Sequence, residues 1–229
     1  MKENEKSPRM SRLFRVSAAR LLIALTLLFV FLPFVEEIKI GYLIVAVLLC
    51  FVLVSAVLAV GRRGRALIIA VLLALLIVAG RSINYFRPDL VSPAVFLVPG
   101  LILMIFVVVH LLRFVLRAPQ VDTEVLCASV SAYLLLGVMW TIAYWLVALI
   151  TPDAFAFNTT TGAKESMQGF NAVYFSLVTL STVGYGDITP VSKVARMLAA
   201  LEAMTGLLYV AVLIARLVSL YSSPKREDS

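Results

Sequence analysis

The residues whose types and spacing could do chemistry fall in one stretch, Ser176-Leu-Val-Thr-Leu-Ser-Thr-Val-Gly-Tyr-Gly-Asp187. In its core, Thr182-Val183-Gly184-Tyr185-Gly186, glycine recurs at alternate positions. Glycine has no Cβ, so Gly184 and Gly186 can take positive φ at little steric cost. A strand that alternates right- and left-handed residues in this way turns successive carbonyls toward one axis. Such a column of carbonyl oxygens is a ligand set for a cation that has shed its water. Thr182 would add a hydroxyl at the inner end, Val183 and Tyr185 would point away as packing, and Asp187 places a carboxylate just beyond.

A loop of this kind needs rigid neighbours. Ahead of it, Phe170 to Ser181 is apolar enough for a short helix that dips into a membrane, and its polar members Asn171, Ser176, Thr179 and Ser181 suit a wrapping of protein rather than lipid. The C-terminal end of that helix would carry roughly half a negative charge from its aligned peptide dipoles, which favours a cation. On one side, Glu124 to Ile150 reads as a membrane span with Asp122 or Thr123 as its N-cap. On the other, Ser192 to Tyr221 reads as a second. Between the first of these and the short helix, Thr151 to Gly169 is polar, with Pro152, Asp153, Asn158 and Gly162, and is expected to be an exposed outer loop.

Composition makes the membrane the solvent of the whole chain. Of 229 residues, 62% are hydrophobic and 14% charged, with a mean hydropathy of +1.03, whereas a soluble domain is about half apolar. Upstream, a polar tail (1–20) leads to spans at Leu21–Val35, Ile40–Val60, Ala66–Gly80 and Pro93–Leu112, the last interrupted by Pro99-Gly100, where a kink is expected. A cleaved signal peptide is the rival reading of the start. Against it, the apolar run is long, no small-residue cleavage site follows, and another span begins at once. With six spans and both termini inside, fourteen of the twenty basic residues lie on the inner face, as cytoplasmic loops require. The net charge of +7 is spread over span ends and forms no patch for nucleic acid. Cys50 and Cys127 sit in apolar runs without metal or disulfide spacing. The single histidine, His110, cannot build a triad or a metal cluster, no loop cradles phosphate, and neither an enzyme nor a cofactor is expected.

Residues from about Thr123 to Tyr221 resemble the pore module of the potassium-channel superfamily, specifically its bacterial six-span type, and Thr182–Gly186 spells that superfamily's known filter loop. The resemblance implies an all-α integral membrane protein of six transmembrane helices, with a re-entrant pore helix and selectivity filter between the fifth and sixth. K⁺ would bind the carbonyls of Thr182, Val183, Gly184 and Tyr185, with Gly186 completing the filter and Asp187 supporting it. Gly206, twenty residues past Gly186, falls at the hinge of the inner helix, and Leu207, Val210, Ile214 and Val218 follow at helical spacing as pore-facing positions. One chain holds one such loop, and a filter needs four, so a homotetramer is expected, in a cell membrane with both termini cytoplasmic.

Residues 118–222 would then form the pore domain, followed by a short tail (223–229). Residues 21–117 resemble a voltage-sensing module in the number and order of spans, but not in chemistry. Val95 to Val109 carries no basic residue, and a sensor needs several, each contributing about 2.3 kcal/mol per 100 mV. His110, Arg113 and Arg117 share a face near the inner end, as the remnant of a sensor or as anchors at the inner surface. Opening is therefore expected to depend weakly on voltage. A weakly selective cation pore is one alternative. A potassium-uptake transporter subunit is another, although that kind carries four degenerate filter repeats in one chain.

Glu202 is out of place in Ala199-Ala200-Leu201-Glu202-Ala203-Met204, since a carboxylate within a span is costly unless partnered. It is expected to support the filter through a pore-helix hydroxyl such as Thr179, to face a water-filled cavity, or to serve as a satisfied packing residue. Arg216 reads as an anchor at the inner interface.

Overall fold

The computed structural model describes residues 8–35, 51–52, 65–87, 92–158 and 165–221. Among the described residues Phe51 and Val52 are helical, and the elements with stated bounds follow in order: α1 (Pro8–Val35), α2 (Arg65–Phe86), α3 (Ala94–Arg117), α4 (Thr123–Ile150), β1 (Phe155–Phe157), α5 (Gly169–Leu180), β2 (Ile188–Pro190) and α6 (Lys193–Tyr221). At 1.5 Å per residue, about twenty apolar residues cross a bilayer core. Among the described residues four helices meet that need, over Leu67–Asn84, Ala94–Arg117, Thr123–Ile150 and Lys193–Arg216. The apolar part of α1, Ala18–Phe34, is shorter. The expected second span, Ile40–Val60, lies outside the described residues apart from Phe51 and Val52.

The upstream helices run past their expected limits. α1 already includes Pro8, inside the stretch expected to be a polar tail, and nothing in the residues that follow breaks the helix before its apolar part. α2 continues six residues beyond Gly80, with the Ser82 hydroxyl donating to the Val78 carbonyl at 2.8 Å. α3 carries on to Arg117 and stays helical through Pro99. The Gly100 position is buried there, and a Cβ on it would reach ordinary contact with Ile142 of α4.

α4 is the hub, packed by α1, α3, α5 and α6. Its small buried residues Ala128, Ser129, Ser131 and Ala132 let neighbouring backbones approach, which suits association in a lipid solvent. The Asp122 carboxylate accepts from the Val125 N–H at 2.9 Å and is its N-cap. α5 is one residue earlier at each end than expected; twelve residues rise about 18 Å, too little to cross.

The segment after α4 is more than an exposed loop. Phe155 to Phe157 pairs antiparallel with β2, Phe155 opposite Pro190 and Phe157 opposite Ile188. The ring of Phe155 sits 5.7 Å from Tyr144 and 5.5 Å from Phe175, edge to face, and these aromatic contacts bury the strand. The sequence signal was the Ala-Phe-Ala-Phe run inside an otherwise polar stretch.

Candidate functional site

The loop 181–187 begins by folding back onto the end of α5. Thr182 N donates to the Thr179 carbonyl at 2.9 Å and Val183 N to the Val178 carbonyl at 3.0 Å. From there the backbone alternates in handedness: φ is +59° at Thr182, +57° at Gly184 and +80° at Gly186, with no positive value at Val183 or Tyr185. A β-branched residue in the left-handed region is strained, so Thr182 is held there by its surroundings. At Gly184 and Gly186 a Cβ would meet nothing within 4 Å; within one chain it is conformation, not space, that calls for glycine.

The far end of the loop is tethered by Asn158, one of the polar residues of the stretch expected to be an exposed loop. Asn158, next to β1, donates from Nδ2 to the Gly186 carbonyl at 2.9 Å, and its backbone N–H donates to the Asp187 carbonyl at 2.7 Å. Asp187 turns its own carboxylate onto the Ile188 N–H at 3.0 Å. The Tyr174 and Tyr185 rings stack with centroids 6.5 Å apart. Val183 and Tyr185 help to line an open apolar groove of about 270 Å³, together with Leu177 of α5 and Phe29 and Leu32 of α1.

Behind α5 lies the buried carboxyl of Glu202, fully removed from solvent. Its Oε1 accepts from the Ser176 hydroxyl at 2.5 Å and its Oε2 accepts from the Tyr144 hydroxyl. Ser176 Oγ is also 2.8 Å from the Gly137 carbonyl, which takes a further bond from the Thr141 hydroxyl. One side chain of α6 thus ties α4 to α5. The pore-helix partner is Ser176 rather than Thr179, for a geometric reason: Ala172, Ser176 and Leu180 recur every four residues on the buried face of α5, and Thr179 lies off that stripe. Thr179 acts on the loop through its carbonyl.

Gly206 stands against the end of α5. A Cβ there would lie 2.0 Å from the Leu180 carbonyl oxygen and 3.0 Å from its carbon, so only glycine lets the two helices meet. The Tyr133 hydroxyl of α4 also reaches the Leu180 carbonyl, at 3.4 Å. α6 is continuous through this point. Leu207, Val210, Ile214 and Val218 are all exposed in the single chain. On α3, His110, the residue next after the uncharged stretch, stacks on Phe106 one helical turn before it, with centroids 6.4 Å apart.

Residues 134–223 match the family described as Ion channel, a stretch that runs from within α4 through the loop to the end of α6. Over 60 residues the chain is 45% identical to the voltage-gated potassium channel Kch of Escherichia coli (strain K12), covering 23% of this chain and 14% of that protein. It is 38% identical over 85 residues to two pore potassium channel b of Oryza sativa subsp. japonica (37% and 21% covered) and 32% identical over 100 residues to two-pore potassium channel 4 of Arabidopsis thaliana (43% and 34% covered). The chain spans between 14% and 34% of the length of these relatives. No solved structure matches. The likenesses relate the stretch from α4 to α6 to potassium channels, and four described helices are long and apolar enough to cross a membrane.

Proposed function

We propose that the chain is the subunit of a potassium-selective channel that passes K⁺ down its gradient through a homotetrameric pore. The observation that carries this reading is the alternating handedness of Thr182, Gly184 and Gly186 on a loop tied down at both ends. That backbone turns successive carbonyls to a common side, as a dehydrated cation requires. Thr182, Val183, Gly184 and Tyr185 supply the K⁺ ligands and Gly186 closes the column. Asp187, Thr179 and Glu202 support it, the first through the Ile188 N–H, the second through the Thr182 N–H, the third by holding α5 in place.

In this reading α5 is the re-entrant pore helix, α4 the outer helix, and α6 the inner helix, with Gly206 as its hinge position and Leu207, Val210, Ile214 and Val218 toward the conduction path. Six spans place the filter at the outer side of a cell membrane and both termini in the cytoplasm. Residues 21–117 form a voltage-sensor-like domain without gating charges. Permeant K⁺ and the lipid bilayer are the small-molecule partners. Rubidium uptake into liposomes holding the purified protein and loaded with K⁺ tests the reading: uptake that exceeds protein-free liposomes supports it, and none contradicts it.

A further inference from the structure

Three polar residues of α6 are spaced by seven: Glu202, Tyr209 and Arg216. Seven residues fall about 20° short of two turns, so the three form one slightly drifting stripe over about 21 Å of helix. Each reaches the outer helix or its approach at a different depth. Glu202 takes the Tyr144 hydroxyl, the Tyr209 hydroxyl donates to the Ser129 carbonyl at 2.6 Å, and Arg216 Nη2 donates to the Ala118 carbonyl at 2.9 Å. The partners run 144, 129, 118 as the donors and acceptors run 202, 209, 216, the order of an antiparallel pair. Two of the three partners are backbone carbonyls, which fix where the helix sits whatever side chains surround them.

Apolar attraction is non-directional and by itself sets the rotation of a helix less sharply than a directed bond does. Hydrogen bonds are directed, since they weaken steeply away from about 2.9 Å and a straight angle. Burying them has a cost of its own: the Arg216 Nε is buried with no hydrogen-bond partner among the described residues. Polar contacts kept at such a cost suit the specification of register.

We propose that Glu202, Tyr209 and Arg216 are positioning residues that fix the rotation of α6 against α4 and so decide which of its faces meets the conduction path. The proposal rests on the channel reading above. Leu207, Ala211, Ile214 and Val218, all exposed, lie between about 120° and 180° around the helix from Glu202 and form the presented face, with Val210 at its edge, about 80° from Glu202. Leu213, next to Ile214 in sequence, lies on the ladder side and is partly buried in the core.

Adjacent positions on opposite faces report rotation. In a background with Cys50 and Cys127 replaced by alanine, Ile214→Cys and Leu213→Cys are each treated with a charged, water-soluble thiol reagent while rubidium uptake is followed. The expected result is that Ile214→Cys reacts at least about tenfold faster and loses uptake, and that adding Tyr209→Phe with Arg216→Gln shrinks the ratio by about tenfold in a protein that still assembles. Should that pair of changes prevent assembly, Tyr209→Phe alone, which removes one oxygen, must move the ratio in the same direction. A ratio unchanged by Tyr209→Phe with uptake intact overturns the ladder, as does equal reactivity of the two cysteines before it is altered. Absent uptake in the parent protein overturns the channel reading itself, so the two failures are told apart.

Discussion

At Gly184 the demand for glycine comes from a φ of +57° alone, since a Cβ there meets nothing within 4 Å. Gly184→Ala should therefore leave folding and assembly intact while straining the loop by about 1–2 kcal/mol per chain, and the preference for K⁺ over Na⁺ should fall; parallel uptake of the two ions checks this. Gly206 poses the opposite problem. Its missing Cβ would sit 2.0 Å from a backbone oxygen, so Gly206→Ala must push α5 aside and should destabilise the protein by about 1–3 kcal/mol, read as a lower unfolding temperature in detergent. A change confined to gating, with no loss of stability, would leave Gly206 as a hinge and nothing more. Around Glu202 the order of effects is the test. Glu202→Gln keeps the shape and one acceptor oxygen, and its amide can donate to the Ser176 hydroxyl, which has the Gly137 carbonyl 2.8 Å away to turn to. Ser176→Ala, by contrast, strips one carboxyl oxygen of its donor, at about 1–3 kcal/mol. Ser176→Ala should accordingly unfold at the lower temperature of the two.

At the scale of elements, what could be read in advance followed the strength of the local signal. The four long apolar helices and the short α5 were legible because hydrophobic runs and the loop after α5 leave little choice. Their ends were less so: α2 and α3 run on through Arg81 and Arg113, since charge marks where a helix leaves lipid, not where its hydrogen bonds stop. Thr179 and Ser176 are both hydroxyl residues on one short helix, and only the packing of α5 between α4 and α6 selects Ser176 for Glu202. Asn158 was illegible for a similar reason, because its role depends on β1 pairing with β2 across the loop. Asn158→Ala removes the side-chain bond to the Gly186 carbonyl and keeps the backbone one; uptake should slow or lose selectivity while assembly is unchanged. α3 carries no basic residue from Val95 to Val109. With each transferred charge worth about 2.3 kcal/mol per 100 mV, open probability in planar bilayers should vary only shallowly with voltage, and a steep rise equivalent to several charges per chain would remove that expectation.

For the molecule as a whole, one chain exposes what a single copy cannot use. Val183 and Tyr185 are 52% and 71% exposed, and one side of α6 presents Leu207, Ile214 and Val218 to no neighbour within the described residues. One loop supplies one carbonyl per layer, and four around an axis complete each ring. Cross-linking in mild detergent should end at a homotetramer, and a conducting monomer or dimer would break the link between loop and ring. The central claim, that these rings discriminate among cations, is tested most directly by the reversal potential of the purified protein in a planar bilayer with K⁺ on one side and Na⁺ on the other. A preference for K⁺ of more than about tenfold, equivalent to about 1.4 kcal/mol between the two ions, is the result expected; a reversal potential at zero, with current flowing, would contradict it.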